Sequence, residues 1–77
     1  MDTDNLVRMA NRIGQFFESM PDRAEALEGI ASHIRKFWAP PMRRAILAHL
    51  DQGGEGLLPI VVQALQEARQ GLTPQGG

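Results

Sequence analysis

The sequence has no cysteine and no tyrosine. Disulfides and thiolate metal sites are therefore excluded, and the composition suits a reducing compartment. Charge of one sign is also missing. Nine acidic residues face eight basic ones, giving a net charge of -1 and a pI near 6.0. A chain so balanced has no overall pull toward nucleic acid or an anionic membrane. Long apolar runs are absent as well. The longest, GLLPIVVQAL, contains a proline and falls far short of the ~20 residues of a membrane span. The opening residues, MDTDNLVRMANR, are acidic and polar, unlike a signal peptide. These features describe a soluble, cytoplasmic protein without membrane contacts.

Catalytic constellations are missing too. Serine and threonine are few, and Ser32 stands beside His33, where helical neighbours do not face each other. His33 and His49 are the only histidines and make at most half a zinc site. Gly53–Gly56 (GGEG) lacks the Lys-Ser/Thr of a phosphate loop and reads as a helix stop and turn. No catalytic, cofactor-binding or metal-ligating residues are expected, and no enzyme.

What is present is helical periodicity. Over Asp4–Met20, apolar residues fall at Leu6, Met9, Ala10, Ile13, Phe16, Phe17 and Met20, the i, i+3, i+4, i+7 spacing of one helix face. Thr3 or Asp4 can cap this helix, and Asp4 stands one turn before Arg8 in the favourable order for an ion pair. Gly14 lies at the edge of the stripe. Pro21 ends the helix, and Asp22 with Glu25 resembles a capping box for a second one. Leu27, Ile30, Ala31, Ile34 and Phe37/Trp38 form its stripe. Ala39-Pro40-Pro41 breaks the chain, and Pro41 opens a third helix. Its face carries Met42, Ala45, Ile46 and His49, and it stops at Gly53-Gly54. The fourth, Leu57–Arg69, has two apolar stripes: Leu58, Val61, Val62 and Leu65, and beside them Leu57, Ile60 and Ala64. The fold class is all-α, a small compact bundle of three to four helices. One domain spans residues 1–70, followed by a flexible tail, GLTPQGG, over residues 71–77. A 77-residue chain builds only a marginal core, and small scaffolds commonly lean on partners.

The only tryptophan, the only Pro-Pro pair and four basic residues meet in HIRKFWAPPMRRAILAHL, His33–Leu50. As a nucleic-acid reader, Arg35, Lys36, Arg43 and Arg44 would grip phosphates while Trp38 stacks. Against this stand the acidic balance and a Pro-Pro turn where helix-turn-helix proteins often use Gly. As a protein-docking surface the features fit better, because Trp, Arg and Met are enriched at interface cores and hot spots. Seven of the eight basic residues are Arg, suited to bidentate carboxylate recognition. The expected partner-binding residues are Arg35, Trp38, Pro40, Met42, Arg43, Arg44, Leu57 and Ile60. Leu57 and Ile60 enter as an exposed second stripe, which also offers a surface for self-association. In the competing structural reading, Phe37 and Trp38 plug the bundle end with the arginines solvated around them.

The run LVRMANRIGQFFESMPDRAEALEGIASHIRKFWAPPMRRAILAHLD, followed by GGEGLLPIVVQAL, resembles the delta subunit of bacterial NAD-dependent formate dehydrogenase. The most specific pieces are MANRIGQFF (Met9–Phe17), HIRKFW (His33–Trp38) with its following proline, and GL-x-P at Gly56–Pro59. In the family the tryptophan is followed by an acidic residue, Pro, Arg and Met. Here Ala39 replaces the acid and Pro41 the arginine, while Pro40 and Met42 match. The resemblance implies an accessory subunit that holds no cofactor and assembles or stabilises a soluble molybdenum or tungsten enzyme by binding its large catalytic subunit. The complex would carry a bis-pterin guanine dinucleotide cofactor, iron–sulfur clusters and FMN on other subunits. Alternatives are a transient maturation chaperone for cofactor loading and a small helical nucleic-acid-binding regulator.

Overall fold

A computed structural model describes residues 2–75. Five helices follow in order: α1 (Thr3–Glu18), α2 (Arg23–Phe37), α3 (Pro40–Asp51), α4 (Pro59–Glu67) and α5 (Arg69–Leu72). Among the described residues there is no strand. The all-α expectation thus holds, with four helices of nine residues or more and one short closing turn.

Local chemistry sets the helix ends. The Asp2 side chain, rather than Thr3 or Asp4, caps α1 by accepting from the Asp4 amide at 3.0 Å. Asp22 caps α2, accepting from the Glu25 amide at 3.2 Å. Pro40-Pro41 and Pro59 occupy the first turns of α3 and α4, where a missing N–H costs nothing. Beyond α3, the Gly53 amide donates to the Leu50 carbonyl at 3.1 Å and the Gly54 amide to His49 at 3.0 Å. This bond pair is a Schellman motif. It needs a left-handed residue, and Gly53 supplies it at φ 116°. The GGEG segment is thus the stop and turn expected of it.

The interior is built from Ile30 and Ile34 of α2, Ile46 of α3, Ile60, Val61 and Leu65 of α4, and Leu72 of α5. A missing side chain makes room for the neighbouring helix. A Cβ at Gly14 would stand only 2.5 Å from Val61 Cγ2, so α1 and α4 touch at a point where any side chain would collide. Gly14, at the stripe's edge by its position on the helical wheel, is buried, as close helix packing requires.

Three expectations need correction. The second stripe of α4 is not a free surface: Ile60 and Ala64 are 2% and 1% exposed, and Leu57 packs partly buried against the core. A helix that is apolar on two sides is an interior helix, and α4 is packed against α1, α2, α3 and α5. The ordered chain also runs past residue 70. Gly71 and Leu72 end α5, and Leu72 is fully buried; residues 76–77 of the expected tail lie outside the described residues. Finally, Asp4 and Arg8 do not pair. The one salt bridge among the described residues joins Asp51 to Arg69 through two hydrogen bonds of 2.8 and 2.6 Å. The Arg69 guanidinium holds the Asp51 carboxyl below its ordinary value, first through the hydrogen bond. Both side chains are about half exposed, so solvent screening keeps the pair a weak stabiliser.

The loop between α3 and α4 is held by side chains that the apolar pattern could not assign. Asn11 donates from Nδ2 to the Gly56 carbonyl at 2.8 Å and accepts at Oδ1 from the Leu58 amide at 2.9 Å. His49 Nε2 bonds the Glu55 carbonyl at 2.7 Å. Asn11→Ala should lower stability by about 1–3 kcal/mol, because the backbone groups left behind lose their partners. Denaturant titration would measure this, with faster amide exchange at Leu58; an unchanged midpoint would show the clamp to be idle.

Candidate docking surface

The sequence concentrates its unusual residues at the α2–α3 junction, but the structure takes the most prominent of them inside. Trp38, at the C-cap of α2, is 5% exposed. Its extended backbone (φ -93°, ψ 130°) ends the helix, and the indole joins the core cluster. Trp38 and Ile60 are therefore interior residues, and the surface role expected for them is withdrawn. Met42 is half-buried against the core. Arg43 is also half-buried, and its Nε has no hydrogen-bond partner. Arg35, Pro40 and Arg44 are exposed, with Arg35 Nη1 3.9 Å from where a Cβ on Gly71 would lie. Leu57 packs over Gly54 beside Leu50, near the far end of α3, roughly 15 Å along the helix from Pro40. The expected site residues do not form one patch.

A different surface stands out. Phe16 on α1 is 72% exposed and Phe37 on α2 71%. Phe16 meets Phe17 edge-on, with ring centroids 5.1 Å apart. His33 lies against Phe37 at 4.8 Å. Phe17 is fixed from below, since its ring covers Gly29 where any Cβ would collide with it. Between the helices runs a groove of about 350 Å³, lined by Arg12, Ile13, Phe16, Phe17 and His33. Its walls are almost entirely apolar. The antiparallel α1–α2 hairpin explains the arrangement: the pairing that sets Phe17 over Gly29 brings Ile13 level with His33.

Residue-level reading placed Phe16 in the core stripe. The signal that could have placed it outside is the width of that stripe. At 100° per residue, the apolar positions of α1 from Val7 through Gly14 to Phe16 span roughly half the helix circumference, more than the face a surface helix needs to bury. The core takes the Val7–Ala10–Gly14 side, which leaves Phe16 outside.

Among the described residues, no cluster of three His, Asp or Glu could hold a metal, and no helix is long and apolar enough to cross a membrane. Fold and surface define a class: a small all-α protein with an aromatic groove on one outer face. Within that class, residues 5–65 match the family model described as NADH-dependent formate dehydrogenase delta subunit FdsD, and the chain belongs to this family. It is accordingly a delta subunit of an NAD-dependent formate dehydrogenase complex. No match was found among curated proteins or among solved structures.

Proposed function

We propose that the chain is a non-catalytic accessory subunit that binds the large catalytic subunit and stabilises the assembled complex. The observation that carries this reading is the pair of phenylalanines left more than 70% exposed on a member of a subunit family. Phenylalanine gains about 1.5–3 kcal/mol on full burial, so a small protein that leaves two outside has a surface suited to a partner. The molybdenum or tungsten cofactor, iron–sulfur clusters and FMN would reside on other subunits.

A tagged chain expressed in its native cell should co-purify with the formate dehydrogenase subunits at fixed stoichiometry and with formate-dependent NAD reduction. Recovery of cofactor-free catalytic subunit alone would make the chain a maturation factor. Replacing both Phe16 and Phe37 by Ser should cut affinity by about thirtyfold or more, the loss of roughly 2 kcal/mol expected of a hot spot. Circular dichroism should show the helices unchanged, because neither ring supports the core. Undiminished binding by that double variant would move the contact to another face.

A further inference from the structure

We infer that the α1/α2 groove seats an apolar segment of the large catalytic subunit that carries carboxylates. The identity of the partner rests on the function proposed above; the chemistry of the segment rests on the groove. Ile13, Phe16 and Phe17 supply the apolar wall. Its Phe17 part is preformed, because that ring is held over Gly29 and has little side-chain freedom to lose on binding.

The one formally charged side chain lining the groove is basic. Arg12 lines the groove, and Arg8 stands one turn before it on the same line of α1. Neither forms a salt bridge with any carboxylate among the described residues. On the opposite wall His33 lines the groove, and Lys36 follows one turn later on α2, exposed. No acidic residue lines this groove. Like charges one turn apart on a helix repel, and no carboxylate among the described residues reaches salt-bridge distance of Arg8 or Arg12. An apolar segment bearing Asp or Glu would bury the aromatic wall and neutralise the rim together, and bidentate carboxylate pairing is what arginine does best. A second copy of the chain fits less well, since a two-fold contact sets a patch against itself and would bring two basic rims together.

The test uses the full chain in its native cell with a photo-crosslinking amino acid placed at Phe16, or at the exposed control positions Ala48 and Gln66. Mass spectrometry of the purified complex then locates the crosslinked peptide. Crosslinks from position 16 should fall on a stretch of the large subunit that combines apolar residues with Asp or Glu. In parallel, Arg12→Glu should weaken binding to purified complex lacking this chain by about tenfold or more, with Arg12→Lys recovering most of it. The inference fails, with the proposed function intact, if the complex assembles but crosslinks arise only from Ala48 or Gln66. It fails equally if position 16 crosslinks to a second copy, or if Arg12→Glu binds undiminished. If no formate dehydrogenase subunit co-purifies with the unsubstituted chain, the proposed function itself falls and this inference with it.

Discussion

Trp38→Ala should unfold the protein or bring it to the edge of unfolding. The indole is 5% exposed and belongs to the same core cluster as Ile34, Ile46 and Leu65. Truncating a buried tryptophan to alanine costs about 3–5 kcal/mol, combining lost transfer energy with the cavity left behind. A single core in a chain this small rarely supplies more than about 3–5 kcal/mol in total. At roughly 4–8 °C per kcal/mol for a domain of this size, the melting temperature should drop by at least about 12 °C. Because Trp38 is the only tryptophan, the unsubstituted chain reports on itself. Its fluorescence should have the blue-shifted emission of an enclosed indole and move to the red on denaturation. Trp38→Phe keeps most of the apolar volume, so it should stay folded and still bind. That variant separates the interior role from docking: a folded Trp38→Phe protein that had lost its partner would return the indole to the interface. A melting temperature unchanged in Trp38→Ala would show that the side chain is not in the core.

The second large effect is expected at the other end of the chain. Leu72→Ala should destabilise by about 2–5 kcal/mol, although the residue lies in a segment whose composition suggests a loose tail. Leu72 has no exposed surface. Its amide donates to the Ala68 carbonyl at 3.1 Å, and the Thr73 amide and hydroxyl both donate to Arg69, at 2.9 and 2.8 Å. The Arg69–Asp51 pair ties the start of α5 to the end of α3. Ending the chain after residue 70 should therefore cost about as much as Leu72→Ala, since both remove the same buried group. Thermal melts of the two variants would check this. Two melting curves superimposed on that of the full chain would show that α5 contributes nothing to the core.

These two residues show where composition misleads. A window rich in Gly, Pro and polar residues averages away its one leucine. Yet Leu65, Ala68 and Leu72 continue the i, i+3, i+7 spacing of α4's buried face, so the period carried the signal that the average erased. At Trp38 the ambiguity was genuine. Phe37 and Trp38 both fit the α2 stripe, as positions i+3 and i+4 from Ile34. Which ring turns inward depends on where the helix stops, and it stops at Phe37.

By itself the sequence determined the four longer helices, the breaks at Pro21, Pro40-Pro41 and Gly53-Gly54, the absence of cysteine chemistry and the family. Periodicity, capping residues and glycine or proline at chain reversals are local, so they can be read without knowing what packs against what. Only the tertiary structure decided which side of each wide apolar arc lies inside. On α1, hydrophobicity weighs Phe16 most and Gly14 not at all. The core closes at Gly14, where the missing Cβ leaves room for the Val61 side chain of α4, and that choice leaves Phe16 at the surface. The same packing encloses α4 on both its stripes, draws Trp38 inward and moves the candidate docking surface from the arginine-rich junction to the aromatic groove between α1 and α2.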